Sequence, residues 1–239
     1  MTDCNSSDHS PATAERPGIT DHGDDLEMDR FHEMVHKQAV YSKEDLHTMH
    51  RQWLGPRGVF ATFEEEIEQL GRQAPALEDL KKLTTPERLQ QAEQAVAFAL
   101  AQSHRRTAAI NPFAGLRREA LCGVVFDDSG VYTLVERYAA YQAVRQSDAD
   151  IFIKLIATTR GVVERRIVFR GLLEHYDRLL PIEKSIYPEG YRSVQQGHLD
   201  REEALYGPLK MEDEILTLLG TMSAAELLER VQPPAGSSL

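Results

Sequence analysis

Helix start and stop signals recur along most of this chain, and they restrict it to a mainly α fold. Ser42 precedes "KEDLHTMHRQWL", where its hydroxyl can accept from the exposed N–H groups of a first helical turn. Thr62 and Glu65 have capping-box spacing ahead of "FEEEIEQLG", and Gly71 is placed to stop that helix. Thr85 followed by Pro86 opens "PERLQQAEQAVAFALAQ", because proline at the first helical position loses no useful hydrogen bond. Thr133 with Glu136, Asp200 with Glu203, and Ser223 with Glu226 repeat the same signature. In "VVERRIVFRGLLEHYDRLL", Val168, Leu172, Tyr176 and Leu179 fall on one helical stripe, which Pro181 ends.

The middle of the chain is less uniform. "LCGVVFDDSGVYTLV" carries β-branched residues on both sides of a turn sequence, which predicts a short hairpin. "DIFIKLIATTRG" is apolar on every side and suits a buried helix or a buried strand equally. The expectation is a mainly α protein with a small β-hairpin or sheet within residues 119–160.

Both ends read as tails. Residues 1–25 are rich in Ser, Thr, Asp, Pro and Gly without apolar periodicity, and 232–239 read the same way. Residues 26–231 form the helical domain, with a division or a loop at the Pro- and Gly-containing stretch 106–118. Of the net charge of −11, residues 1–28 carry seven acids against one base, leaving the folded part only mildly acidic. The two cysteines, Cys4 and Cys122, do not suggest a structural disulfide, because Cys4 lies in the tail. The longest apolar run, "AVAFALA", is too short to span a bilayer, and the N-terminus lacks the basic-then-apolar pattern of a secretory signal. A cytoplasmic protein with no membrane association is expected.

"FHEMVHKQAV" raises the sharpest chemical question. His32 and His36 are one turn apart on a helix and can face one ion, with Glu33 as general base in the H-E-x-x-H pattern of zinc hydrolases. If Tyr41 and Ser42 form the bend of an antiparallel helix pair, His47 and His50 fall level with the first two and four imidazoles gather. Against this, Phe31, Met34 and Val35 define the buried stripe, leaving His32 and His36 on its flank. Arg30 and Lys37 also sit beside them, where a dication is unfavourable. A surface helix with boundary histidines is the plainer reading, so no cofactor is expected and zinc is the alternative.

Other residues offer contact chemistry. Arg105, Arg106, Arg117 and Arg118 surround a loop with no acid until Glu119, and their guanidinium groups can grip a phosphate or carboxylate. Nucleic-acid binding needs a broader basic face; Arg160, Arg165, Arg166 and Arg170 extend it, but Glu164 and Glu174 interrupt it, and this reading is not favoured. Residues 183–198 read as a long loop carrying Tyr187, Tyr191 and Arg192, residue types favoured at interfaces. Asp127 and Asp128 read as turn formers, Cys122 as inert packing, and His175 in "EHYD" as part of a solvated face. There is no glycine-rich phosphate cradle, no G-x-S-x-G elbow and no C-x-x-C pair. The sequence therefore points to a helical regulator, adaptor or accessory factor that binds a partner protein, with a zinc hydrolase and a nucleic-acid binder as alternatives.

Overall fold

The computed structural model describes residues 21–104, 109–158 and 164–231. Among these are α1 (Asp21–Gln38), α2 (Lys43–Leu54), α3 (Val59–Leu70), α4 (Pro86–His104), α5 (Arg118–Val125) and α6 (Leu134–Ala157). They are followed by α7 (Arg165–Asp177), α8 (Pro181–Lys184), α9 (Tyr191–Tyr206), α10 (Ile215–Thr221) and α11 (Ala224–Arg230). Two 3₁₀ segments, Gly71–Gln73 and Pro75–Lys82, join α3 to α4. No strand occurs among the described residues, so the expected hairpin is absent: "REALCGVV" is α5, "FDDSGVYT" is a turn, and "DIFIKLIA" completes α6. Among the described residues no helix is long and apolar enough to cross a membrane.

Several local signals act as read. Ser42 accepts from Asp45 N, Thr133 and Glu136 form a full capping box, and so do Ser223 and Glu226. Gly71 ends α3 with φ 58°, a left-handed value that favours glycine. Others do not. Helix α3 starts at Val59, so Thr62 lies inside it, and Asp200 lies inside α9, which begins nine residues earlier at Tyr191 after the N-cap Gly190. The predicted loop 183–198 is therefore the end of α8, a turn and the first half of α9. Residues 21–25, assigned to the tail from composition, open α1, and the rest of both tails lies outside the described residues.

The long helix α6 organises the packing. At about 1.5 Å per residue, its 24 residues reach through two separate apolar clusters. In its first half Val135, Tyr138, Ala139, Ala140, Ala143 and Val144 join a core with α1–α5 and α8. Ala92, Ala95 and Ala99 of α4 are buried opposite this alanine-rich stretch, and such small side chains let helix axes approach closely. Phe113 is buried in the same core, so the elements on both sides of residues 106–118 share one interior. In its second half Ile151, Phe152 and Leu155 join α7, α10 and α11 in a smaller core.

The N-terminus of α6 is anchored by charge. Glu136 is fully buried, receives Thr133 N at 2.9 Å and Thr133 Oγ1 at 2.7 Å, and is gripped by Arg88 at 2.7 and 2.9 Å. Asp79 adds a second carboxylate from outside the helix, accepting Leu134 N at 2.6 Å. Both negative charges lie where the helix dipole favours them.

In α7 the buried residues are Arg166, Ile167, Gly171, Leu173 and His175; of the predicted stripe, Leu179 beyond the helix is buried as expected, while Val168, Leu172 and Tyr176 are only half-buried. The predicted stripe is thus rotated by about one residue. Gly171 allows this: a Cβ there would lie 2.6 Å from Leu155 Cδ2 and 3.2 Å from Ile215 Cγ2. Gly171→Val should therefore lower unfolding free energy by about 1–3 kcal/mol through overpacking. Gly197→Ala in α9, where an added Cβ meets nothing within 4 Å, should raise it by about 0.5–1 kcal/mol. Urea melts of the two variants check the contrast, and equal effects would mean that α7 does not seat against Leu155 and Ile215.

Candidate functional site

The histidines do not assemble as the antiparallel pair required. Helix α1 packs on α5 and α8, whereas α2 packs on α3 and α8. His32, His36 and His47 are exposed; His50 is half-buried, and burial lowers its pKa, Glu183 opposing. Among the described residues no three His, Cys, Asp or Glu side chains are placed to hold a metal ion. Glu33, the residue assigned as general base, instead pairs with Lys37 at 3.3 Å.

That pair belongs to a larger feature. Lys37 also reaches Asp128 at 3.6 Å, bridging α1 to the turn between α5 and α6. Beneath the bridge lies a cleft of about 890 Å³, walled by α1, the inner faces of α2 and α5, and the α5–α6 turn. Its volume lies in the range of about 300–1,000 Å³ usual for ligand pockets.

Each wall has a local cause. Met34 and Lys37 are three apart on one face of α1, and Met49 and Trp53 are four apart on α2. The turn is fixed by Asp127, whose carboxylate accepts Ser129 N at 3.2 Å, Ser129 Oγ at 2.5 Å and Tyr132 N at 3.2 Å. Burial works against that carboxylate's charge, but the three donors prevail and hold its pKa below the ordinary value. The turn reading of Asp127 is thus the one the hydrogen bonds bear out. It also aims Asp128, Ser129 and Val131 at the cleft.

Arg137 and Trp53 form the floor. The guanidinium carbon lies 4.0 Å from the Trp53 ring centroid, and Nε donates to Val125 O at 2.9 Å. Burial lowers the Arg137 pKa, with Asp127 and Asp128 opposing. Behind Trp53 the aromatic series continues through Phe60, 5.9 Å away, to Tyr141, stacked on Phe60 at 4.9 Å. Met34 was read only as part of the buried stripe of its helix, and Trp53 and Met49 were not singled out as site residues; the i, i+4 spacing of Met49 and Trp53 on α2 was the available signal.

The remaining candidates are scattered. Arg105 and Arg106 lie outside the described residues, and Arg117 is exposed at the N-cap of α5. Arg118 is not a surface arginine: its side chain is only 10% exposed and is held by Asp148 and Glu183. Arg166, counted in the broader basic face, is buried against Glu164 and the carbonyls of Tyr206 and Gly207. Tyr187 and Tyr191 pack with Tyr176 at ring distances of 5.3 and 5.1 Å and with each other at 4.7 Å, and Arg192 pairs with Asp177 at 2.7 Å. These residues tie α7, α8 and α9 together rather than lining the cleft.

Arg137→Ala should lower stability by about 1–2 kcal/mol, from the lost stacking and the lost donor to Val125 O. Because Trp53 is the single tryptophan, its emission should also move to longer wavelength as the floor opens to water. An unchanged emission maximum would contradict the stacked arrangement.

No known protein family, curated protein or solved structure matches this chain.

Proposed function

We propose that the chain acts by binding a segment of a partner protein in the cleft between α1, α2 and the α5–α6 turn. The observation that carries this reading is the rim. Val40, Tyr41 and Val131 surround the opening with 82%, 49% and 48% of their surfaces in solvent. A small molecule would fill the interior and leave these side chains wet. A polypeptide laid across the opening covers them and also inserts an anchor beside Trp53.

The lining suits such an anchor. Met34 and Met49 are unbranched and polarisable, so they adapt to an irregular apolar side chain. Trp53, Tyr41 and Arg137 supply the residue types that dominate binding energy in protein interfaces. Charges of both signs at the mouth, Arg30 and Lys37 against Glu33 and Asp128, provide orientation rather than bulk attraction.

A displayed random peptide library selected against the full chain tests this. Enriched peptides should carry an aromatic or aliphatic anchor and change Trp53 emission on titration. They should lose at least ~10-fold in affinity against Met34→Asp, equivalent to about 1.4 kcal/mol. Selected peptides that bind Met34→Asp undiminished and leave Trp53 emission unchanged would place binding elsewhere and remove the proposal.

A further inference from the structure

Where the two apolar cores meet, the interior turns polar. Arg118 from α5 donates to Asp148 of α6 at 3.0 and 3.1 Å and to Glu183 of α8 at 2.5 and 3.2 Å. Cys122, one turn along α5 and fully buried, lies 3.5 Å from Arg118 Nη1 and 4.0 Å from Glu183 Oε2. His175 of α7 closes the group, with Phe152 of α6 edge-on to its ring at 4.9 Å.

The cluster is satisfied except at one point. His175 is buried, and its Nδ1 has no hydrogen-bond partner. The nearest carboxylate oxygen, Asp148 Oδ1, is 4.0 Å away and already accepts from Arg118 Nε. At 4.0 Å Asp148 favours a proton on this ring by charge but is too far to accept a hydrogen bond from Nδ1, so protonation would bury a cation without a hydrogen-bonded partner there.

We propose that His175 is an acid-sensitive latch: its protonation unseats α7 from α6 beside the Arg118 cluster and opens the junction between the two cores. The charges facing the ring decide the direction. Burial lowers its pKa most; Asp148 of α6 and Glu183 of α8 oppose this, while Arg118 of α5 and Arg178 at the C-cap of α7 reinforce it. Arg178 is engaged by Glu214 ahead of α10, and Arg192 of α9 is engaged by Asp177. Glu174 is occupied by Arg170 and by Leu216 N of α10. Burial raises the pKa of the Tyr187 phenol and of the Cys122 thiol, so neither ionises in acid.

The closed junction therefore holds His175 neutral, with a pKa below that of a solvated imidazole. As pH falls through about 6.5, the ordinary imidazole value, the opened form takes up protons first and gains population. The stability contributed by the neutral ring is present above that value and is lost as pH falls toward the folded-state pKa. His50 of α2, whose pKa is also lowered by burial, is the competing titrating group on the far side of Glu183.

Cys122 reports the opening. In the full chain carrying Cys4→Ser, labelling by dithiodipyridine, which reacts in acid, is followed between about pH 7.5 and 5.5. The rate should rise at least about fivefold while helical ellipticity is retained, against the intrinsic trend of a thiol losing thiolate. His175→Gln and the ring-sized His175→Phe should both flatten the profile, and His50→Gln should leave it intact. A flat or falling wild-type profile overturns the latch. So does a rise that survives both His175 variants, vanishes in His50→Gln, or merely follows loss of helix.

Discussion

The guanidinium of Arg118 is the constraint on which the middle of this molecule depends. One side chain, 10% exposed, joins α5 to α6 through Asp148 and to α8 through Glu183. Burial alone would favour losing its proton, but the two carboxylates outweigh burial and hold its pKa above the ordinary arginine value. Four charge-assisted bonds, two to each carboxylate, suit the planar fork of arginine and would not survive replacement by lysine. Removing one member of such a buried set typically costs about 3–5 kcal/mol, because the others remain buried without their partner. A well-packed apolar triad can be as stable, so the network's physical role is to fix the register of three helices rather than to supply net stability.

A second buried ion pair governs the start of α6 in the same manner. Glu136 and Arg88 are far apart in sequence, but Glu136 is also the N3 residue of the Thr133 capping box. The local half of that arrangement was legible, since Thr133 and Glu136 are three residues apart. The other half was not, because nothing near Arg88 announces that it will reach across to α6. The same division explains most of what the sequence revealed. Ser42, Gly71, Pro86 and Ser223 act within one turn of themselves and mark boundaries as read. Thr62 and Asp200 carry the same signature inside helices whose starts are set by Gly58 and Gly190, because an exposed capping pair does not interrupt a helix whose apolar face is already buried. "LCGVV" and "DIFIKLIA" are helical despite their β-branched residues, because α5 buries Leu121, Cys122, Val124 and Val125 and the end of α6 buries Leu155 against other helices, and packing overrides propensity.

The candidate site was legible only in pieces. Glu33, Asp127 and Asp128 each stood out, but for unrelated reasons: one for a metal motif, two for a turn. Lys37 brings Glu33 and Asp128 to one cleft, and no periodicity encodes a contact across some ninety residues of chain. His175 was assigned to a solvated face and Arg118 to a loop that grips an external anion, because imidazole and charged side chains usually lie at the surface. Both are interior because each has a role only the folded chain supplies, Arg118 with its carboxylates and His175 against Phe152.

The cleft and the polar junction share their walls. Gly123 lines the cleft beside Cys122, and Ile182 lines it beside Glu183. The amide of Ile182 donates to Gln38 Oε1 at 3.0 Å, so α1 is tied to the same turn of α8 that grips Arg118. An occupant pressed against Gly123 and Ile182 bears on the two helices that the arginine holds. Coupling between the sites then requires only that the occupant contact the closed and opened junctions differently, and whatever coupling exists acts equally in both directions. Two short elements offer routes for it: α5, which carries both Gly123 and Arg118, and the four-residue α8, which packs on α1 and α2 and carries Glu183.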